Sequence, residues 1–352
     1  MMDEQWAATG SHPDQDDLIL ITGAGGFIGG ALTRHFHERG FRRIRAVDKK
    51  PLPHWYQRVP GTECLCLDLS CAANCRQACA GAVEVYDLAA DMGGMGFIQT
   101  HRIECLRSIL IRVHMVESAY RAGAQRYFFS SSACVYNTTL QQEIDARPLK
   151  ESDAYPAMAE RGYGWEKLMS EMFCQEYWAE RGLKTFVARF HNAYGPWGTW
   201  KGGREKAPAA ICRKVIEAKE TGGGTIDIWG DGTQARSFMY VDDCVKGIDL
   251  IMHCDDLIAT PVNLGSSELI SVNDLVTFAE ELGGVKLERK YDLAAPKGVE
   301  SRNSDNTMIE KSLGWAPRIP FRDGLRPTYA WIEEQYRRRL SNRPTRGTNG
   351  DD

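Results

Sequence analysis

One stretch near the start of the chain narrows the possible folds more than any other. Residues 17–22, Asp-Leu-Ile-Leu-Ile-Thr, form a short apolar run that feeds Gly23-Ala-Gly-Gly26-Phe27-Ile28-Gly29. Residues 31–38 then read as a helix ending at Gly40. A strand, a glycine turn and a helix in that order are the setting of a dinucleotide-binding site. Bare glycines let the backbone approach a pyrophosphate, and the helix start offers it unpaired N–H groups. A second strand, residues 43–47, ends at Asp48, 19 residues after Gly29. A carboxylate there accepts hydrogen bonds from ribose hydroxyls and repels a 2′-phosphate, which favours NAD over NADP. Lys49 and Lys50, directly behind it, weaken that preference.

The alternation continues. Residues 63–67 read as a strand ending at Asp68, where an acid can reach an adenine amino group. Residues 83–88 are the next strand and lead into Ala89-Ala-Asp-Met-Gly-Gly-Met-Gly-Phe97, whose glycines suit a loop lying close to a ligand. A helix over 105–122 and a strand over 126–129 follow. Repeated strand–helix units imply a parallel sheet with helices on both faces and ligands at the carboxyl ends of the strands.

That last strand delivers Ser130-Ser131-Ser132-Ala133-Cys134, and Tyr163-Gly-Trp-Glu-Lys167 opens a helix expected to run through residue 176. Tyr163 and Lys167 are four apart and share one helix face. An ammonium beside a phenol favours the phenolate and lowers its pKa toward a range useful for a base. A serine hydroxyl near that phenol is placed to hold a substrate hydroxyl. Taken alone, a Tyr-x-x-x-Lys pair is more often two solvated helix residues.

After a strand over 184–189 comes a long loop through Pro208, with Lys201, Arg204, Glu205 and Lys206 next to Trp197 and Trp200. Cations beside aromatics suit a nucleotide sugar as well as they suit a solvated charged loop. Further on, residues 226–232 read as a strand and tight turn, 262–265 as a strand, and 271–282 as a helix capped by Ser271 or Asn273. A last helix falls around residues 329–336.

Composition excludes several classes. The net charge of −4 in 352 residues gives no case for nucleic acid or an anionic membrane surface. No run reaches the roughly 18 uncharged apolar residues that span a bilayer, and residues 1–17 are too polar for a secretory signal. Eleven cysteines imply reduced thiols and a cytoplasmic protein. Cys71, Cys75 and Cys79 recur every four residues near Cys64 and Cys66. Without a Cys-x-x-Cys pair or clustered histidines they read as helix packing, and no metal is expected.

The glycine turn, Asp48, Asp68, the serine segment and Tyr163/Lys167 together resemble the extended short-chain dehydrogenase/reductase superfamily of nucleotide-sugar enzymes. Residues 88–99, 131–136, 198–210, 302–306 and 313–317 are similar, more narrowly, to the GDP-mannose 3,5-epimerase family. The likeness runs from about residue 18 to 336, departing at Asn137, where proline is usual, and in an insertion at 221–224. It implies NAD, bound by Gly23, Gly26, Phe27, Ile28, Gly29, Asp48, Asp68, Tyr163 and Lys167. It also implies a GDP-sugar substrate and a homodimer paired through two helices, one carrying Tyr163. Tyr163 is then the base, Lys167 lowers its pKa, and Ser132 holds the reacting hydroxyl. Cys134 and Lys206 become acid/base groups on opposite faces of the sugar. Substrate contacts are implied at Gly93, Ser132, Ala133, Cys134, Asn192, Glu205, Lys206, Ala207, Lys214, Gln234, Arg236 and Arg302. The two arginines suit a diphosphate because a guanidinium fork fits phosphate oxygens, and His191 is expected to be packed rather than catalytic.

Position 134 separates the relatives. A dehydratase is expected to carry an acid there and a simple 4-epimerase a small hydroxyl residue. Cysteine favours proton exchange at carbons next to a ketone, although by itself a cysteine is usually a small buried hydrophobe. The alternatives are a sugar-nucleotide 4-epimerase or 4,6-dehydratase, and a non-enzymatic NAD-binding regulator. The expected fold is α/β, a Rossmann-like doubly wound parallel sheet with a smaller C-terminal α/β substrate-binding lobe. Disordered tails are expected at 1–16 and 341–352, the NAD-binding domain at 17–195, and mainly the substrate lobe at 196–340, with some elements returning to the main sheet.

Overall fold

The structure is a computed structural model describing residues 12–143, 146–295 and 298–341. In chain order the first half contains β1 (Ile19–Thr22), α1 (Phe27–Glu38), β2 (Ile44–Asp48), β3 (Glu63–Cys66), α2 (Ala72–Cys79) and β4 (Glu84–Asp87). It continues with α3 (Met95–Thr100), α4 (Arg102–Arg121), β5 (Arg126–Ser132), α5 (Tyr163–Arg181), β6 (Lys184–Phe190) and β7 (Ala193–Tyr194). The second half contains α6 (Ala207–Thr221), β8 (Thr225–Trp229), β9 (Ala235–Ser237), β10 (Met239–Tyr240), α7 (Val241–Met252) and β11 (Pro261–Leu264). It closes with β12 (Leu269–Ser271), α8 (Val272–Gly283), β13 (Glu288–Asp292), β14 (Ser301–Arg302), α9 (Thr307–Leu313) and α10 (Phe321–Ser341).

Seven parallel strands form the main sheet in the order β3-β2-β1-β4-β5-β6-β11. The order reverses between β1 and β4, and a ligand crevice belongs at such a switch point. β1 and β4 are buried at every residue, as strands covered on both faces must be. One face of the sheet packs Ile19, Ile21, Phe36 and Phe128 against Ile248, Ile251 and Val262. The other packs Leu20, Val85 and Phe129 against Met115, Ala119 and Cys174. A separate core, with Ile211, Val215, Ile226, Leu275, Phe321 and Leu325, holds the smaller lobe together. β11 returns to the main sheet, and α7 covers its face, so the chain beyond Pro196 serves both bodies.

Several elements overrun the expected boundaries, each for a local reason. β5 continues three residues past Phe129 because β6 pairs with it as far as Ser132 opposite Phe190. α5 runs to Arg181 rather than 176 and stops where Gly182 turns left-handed at φ 70°. α8 begins with Ser271 accepting from the Asp274 N–H while Asp274 reaches back, a capping box. All eleven cysteines are free. Cys71 precedes α2, while Cys75 and Cys79 are fully buried on it, which is helix packing. Of the expected tails at 1–16 and 341–352, residues 1–11 and 342–352 lie outside the described residues, and Ser341 ends α10. Residues 12–16 are placed against the body, where Arg42 donates two hydrogen bonds of 2.7 Å to Asp16. Among the described residues no helix is long and apolar enough to cross a membrane.

Candidate active site

The carboxyl ends of β1, β2, β4, β5 and β6 open into one cleft of about 340 Å³. Gly23, Gly26, Phe27, Ile28, Gly29, Asp48, Asp68, Ser132, Tyr163, Lys167 and Lys206 all line it. A Cβ at position 29 would lie 2.4 Å from the Gly23 carbonyl oxygen, so only glycine lets α1 start this close to the turn. Gly26 caps α1 with no side chain over its first N–H groups. That leaves them for an anion. Asp48 and Asp68 hold the next two strand ends. Hydrogen bonds from Ser70 keep the Asp68 carboxyl below its ordinary pKa. A bare backbone cradle with two acids beyond it fits NAD.

The two lysines behind Asp48 also line the cleft. Lys49 Nζ lies 2.7 Å from Asp91, and Lys50 Nζ donates to the Gly25 carbonyl at 3.0 Å. Both charges therefore have acceptors in the protein.

Beneath the cleft lies a network that the sequence pattern did not disclose. Arg112 of α4 and Asp87 at the end of β4 form a fully buried ion pair. Asp87 also accepts from Thr22, whose Oγ1 in turn accepts from the N–H groups of Leu88 and Ala89. These bonds tie the first turn of the cofactor site to the loop after β4. An arginine amid Ile-Leu-Ile-Arg-Val of a core helix, with an aspartate closing an apolar strand, was the available signal.

Tyr163 and Lys167 do share one face, with Lys167 Nζ 5.5 Å from the Tyr163 ring centre. The expected depression of the tyrosine pKa is not what this environment produces. Burial, reinforced by Cys134 and Glu166, pushes Tyr163 well above its ordinary value, and the hydrogen bond with Ser132 opposes this only in part. Lys167 donates to the Ser130 carbonyl at 2.9 Å, and burial brings its own pKa down to about 8.

Ser132 accepts from the Cys134 N–H at 3.2 Å and starts the tight turn of residues 133–135. A Cβ on Gly164 would fall 2.2 Å from the Cys134 carbonyl oxygen, so glycine after Tyr163 lets this turn press against α5. Cys134 is 6% exposed and packs with Tyr163, Phe97 and Cys105. Burial first, then the nearby Glu160 carboxylate, pushes its thiol up to about 11.

Lys206, the residue before α6, faces Cys134 closely enough for their charges to interact, and burial lowers its pKa. Its loop is clasped by the glycine segment after β4. Gly94 N–H donates to the Arg204 carbonyl at 3.1 Å, and a Cβ on Gly94 would lie 2.6 Å from the Glu205 carbonyl oxygen. The glycines at 93 and 94 thus let this segment pack closely on the loop that carries Lys206. Arg204 stacks over the Phe97 ring at 3.9 Å. The tryptophans of this loop belong to packing: Trp200 is buried in the smaller lobe and Trp197 sits against Trp331.

The remaining substrate candidates divide. Arg302 does not stand alone as a diphosphate fork. Its Nε donates to Gln141 at 2.6 Å, Nη1 to the Cys134 sulfur at 3.4 Å, and Nη2 lies 3.7 Å from Glu160. Arg236 is close enough for Arg302, after burial itself, to help lower its pKa to about 10. Two guanidinium groups held near each other suit an anion. Ala133 is buried at the turn, and Ala207 opens α6. Asn192 holds φ 39° and donates to the Ser237 carbonyl, bracing β9. Of the substrate candidates, Ser132 and Lys206 line the cleft, whereas Gly93, Ala133, Cys134, Asn192, Glu205, Ala207, Lys214, Gln234, Arg236 and Arg302 lie outside its lining, Glu205, Lys214 and Gln234 being bonded respectively to Arg213, the Asp227 carbonyl and the Trp229 carbonyl. His191 is fully buried, bonded to Asn263 at 2.9 Å, and burial brings its pKa down to about 3, so it packs as expected.

One further cluster went unread. Among the described residues, His12, Asp249 and His253 bring ligand-type atoms together. His253 places one ring nitrogen 3.1 Å from Asp249 and the other 3.0 Å from Glu84, while His35 and Arg39 hold Asp249. This is an ion-pair network.

A parallel switch-point crevice with a glycine turn, strand-end acids and a Ser/Tyr/Lys set defines a dinucleotide-dependent enzyme class. Residues 19–265 match the model of the NAD dependent epimerase/dehydratase family, and the chain belongs to that family. It is 44% identical over 324 residues to GDP-mannose 3,5-epimerase 1 of Oryza sativa subsp. japonica, covering 92% of this chain and 83% of that protein. GDP-mannose 3,5-epimerase of Arabidopsis thaliana is 43% identical, with 92% and 84% covered. Among solved structures, MoeE5 in complex with UDP-glucose and NAD superposes with TM-score 0.75 at 29% identity, covering 92% of this chain and 99% of that one.

Proposed function

We propose that the chain converts GDP-α-D-mannose to GDP-β-L-galactose, with GDP-L-gulose as the singly inverted product, by epimerisation at carbons 3 and 5. The observation that carries this reading is that Ser132, Tyr163 and Lys206 line one cleft, with Cys134 bonded to Ser132 and packed on Tyr163, in a chain 44% identical to a GDP-mannose 3,5-epimerase. A sugar C–H is far too weak an acid for a protein base until the neighbouring carbon 4 is a ketone. Bound NAD supplies the reversible hydride acceptor that makes this oxidation possible without net consumption.

The chain's own groups do the rest. Tyr163 takes the hydroxyl proton at carbon 4, Ser132 fixes that hydroxyl, and Lys167 holds the tyrosine's surroundings positive. Cys134 and Lys206 exchange protons at the two faces of the ring. Arg236 and Arg302 hold anionic or oxygen-rich parts of the substrate. Incubation with GDP-mannose in heavy water tests this. Deuterium at both carbons 3 and 5 of recovered sugar is the expected result, and its absence there returns the chain to the 4-epimerase or dehydratase class.

A homodimer fits the same reading. Ile103, Leu106 and Leu110 on α4, with Trp165, Met169 and Met172 on α5, are exposed at helical spacing on two packed helices. Eleven free thiols favour the cytoplasm.

A further inference from the structure

Asp91 lies on the loop between β4 and α3, and neither its spacing nor the family resemblance pointed to it. Its backbone N–H donates to the hydroxyl of Ser108 on α4 at 3.0 Å, and that serine is buried. The carboxylate meets two cations from separate segments. Oδ2 lies 2.7 Å from Nζ of Lys49, the residue after the strand-end acid Asp48. Oδ1 lies 3.6 Å from Nη1 of Arg204, on the loop that carries Lys206. Arg204 is itself held by the segment after Asp91: it stacks over Phe97, donates to the Met92 carbonyl at 3.4 Å, and accepts at its own carbonyl from the Gly94 N–H.

Lys49, Asp91 and Arg204 all line the cleft. Their side chains are 56%, 27% and 47% exposed, whereas Tyr163 and Lys167 in the same lining are buried. The three charges therefore stand at the rim, above the reacting groups. One carboxylate joins the cofactor edge to the loop that brings in Lys206, and without it two cations would face each other across the rim. We propose that Asp91 is a positioning residue for the cofactor cleft: it ties the Lys206 loop to the cofactor edge, and NAD leaves only when this tie opens.

A single exposed ion pair changes a rate by only about 1.5- to 5-fold. Here two pairs share one carboxylate whose backbone is anchored to α4, and one of the cations is already fixed on an aromatic ring, so less ordering is needed to make them. A reaction whose hydride returns to the sugar has no need to exchange its cofactor between turnovers. A rim closed by charge suits that requirement. Nothing in the tie depends on which sugar nucleotide is turned over.

The test is the rate of NAD release from the holoenzyme, loaded with radiolabelled NAD and chased with an excess of unlabelled NAD. Asp91→Asn keeps the shape of the side chain and should release NAD about five- to tenfold faster; an unchanged rate overturns the proposal. Asp91→Glu, which keeps the charge, should recover part of the difference. Lys49→Gln and Arg204→Gln alter exposed side chains and should each speed release by about two- to fivefold. In the Asp91→Asn background both should add little, because their partner is already gone; effects that add in full overturn the tie. Raising salt from about 0.01 to about 1 M shortens the screening length from about 30 to about 3 Å. It should speed release more in wild type than in Asp91→Asn, and equal salt dependence also overturns it. Should Asp91→Asn fail to fold with NAD, the two exposed variants decide, and unchanged release in both overturns the proposal. A wild-type chain that exchanges no deuterium would sink the epimerase reading and leave this release assay standing.

Discussion

In the half of the cleft beneath the glycine turn, every binding group stands at the end of a strand or in the first turn of a helix. In the half around Cys134, the groups come from five separated segments, with Arg302 reaching a sulfur 168 residues away. The first half is made by local geometry and presents backbone N–H groups and isolated acids. The second is made by tertiary packing and presents charges that already neutralise one another. A cofactor that is kept needs a fixed cradle, whereas a substrate that changes configuration needs groups able to exchange protons. The neutralising pairs keep those charges affordable in a dry site.

The largest effect expected is on the second half alone. Cys134→Ala should lower epimerisation by about 10²–10⁴-fold while NAD stays bound, measured by product analysis and by cofactor release on denaturation. Normal epimerisation by that variant would break the comparison. Gly29→Ala should do the reverse, because its Cβ would meet the Gly23 carbonyl at 2.4 Å. NAD affinity by titration should fall roughly tenfold to a hundredfold, an effect of about 1–3 kcal/mol.

Away from both halves, His253→Ala should destabilise the fold by about 3 kcal/mol at pH 6, because it opens a buried ion-pair network. Hydrogen bonds with Asp249 and Glu84 outweigh burial and raise the His253 pKa to about 9 from an ordinary 6.5. Its contribution is complete below pH 6.5 and is lost as pH rises through about 9. Urea unfolding of both proteins should therefore converge at high pH, and a difference that persists unchanged at pH 10 would contradict the network's charge state. The smallest effect is expected at Asp48, where Asp48→Asn should narrow the preference for NAD over NADP by about tenfold, measured by competitive binding.

The fold was legible wherever a period and a turn residue coincided. The glycine turn, the strand ending at Asp48 and the Tyr163/Lys167 face all fell where spacing put them, because each depends on neighbours a few residues away. Boundaries failed where a partner strand decided them, as for β5, whose end at Ser132 is set by β6. Among the site candidates, Cys134 and Lys206 were suggested only by family likeness, since a lone cysteine and a lysine in a charged loop carry no pattern. Glu160 and Gln141 were not legible at all. Their meaning is a contact with Cys134 or Arg302, and such contacts leave no periodic trace. The glycines at 93 and 94 announced a close approach but not its partner, because close approach to another stretch of chain needs the same absent side chain as close approach to a ligand.

The central claim is that this cleft epimerises at carbons flanking a transient ketone, and the direct measurement is isotope position in the sugar. Wild-type protein incubated with GDP-mannose in heavy water should yield GDP-hexoses with deuterium at carbons 3 and 5 and none at carbon 4. Turnover of GDP-mannose without deuterium at carbons 3 and 5 would contradict the account.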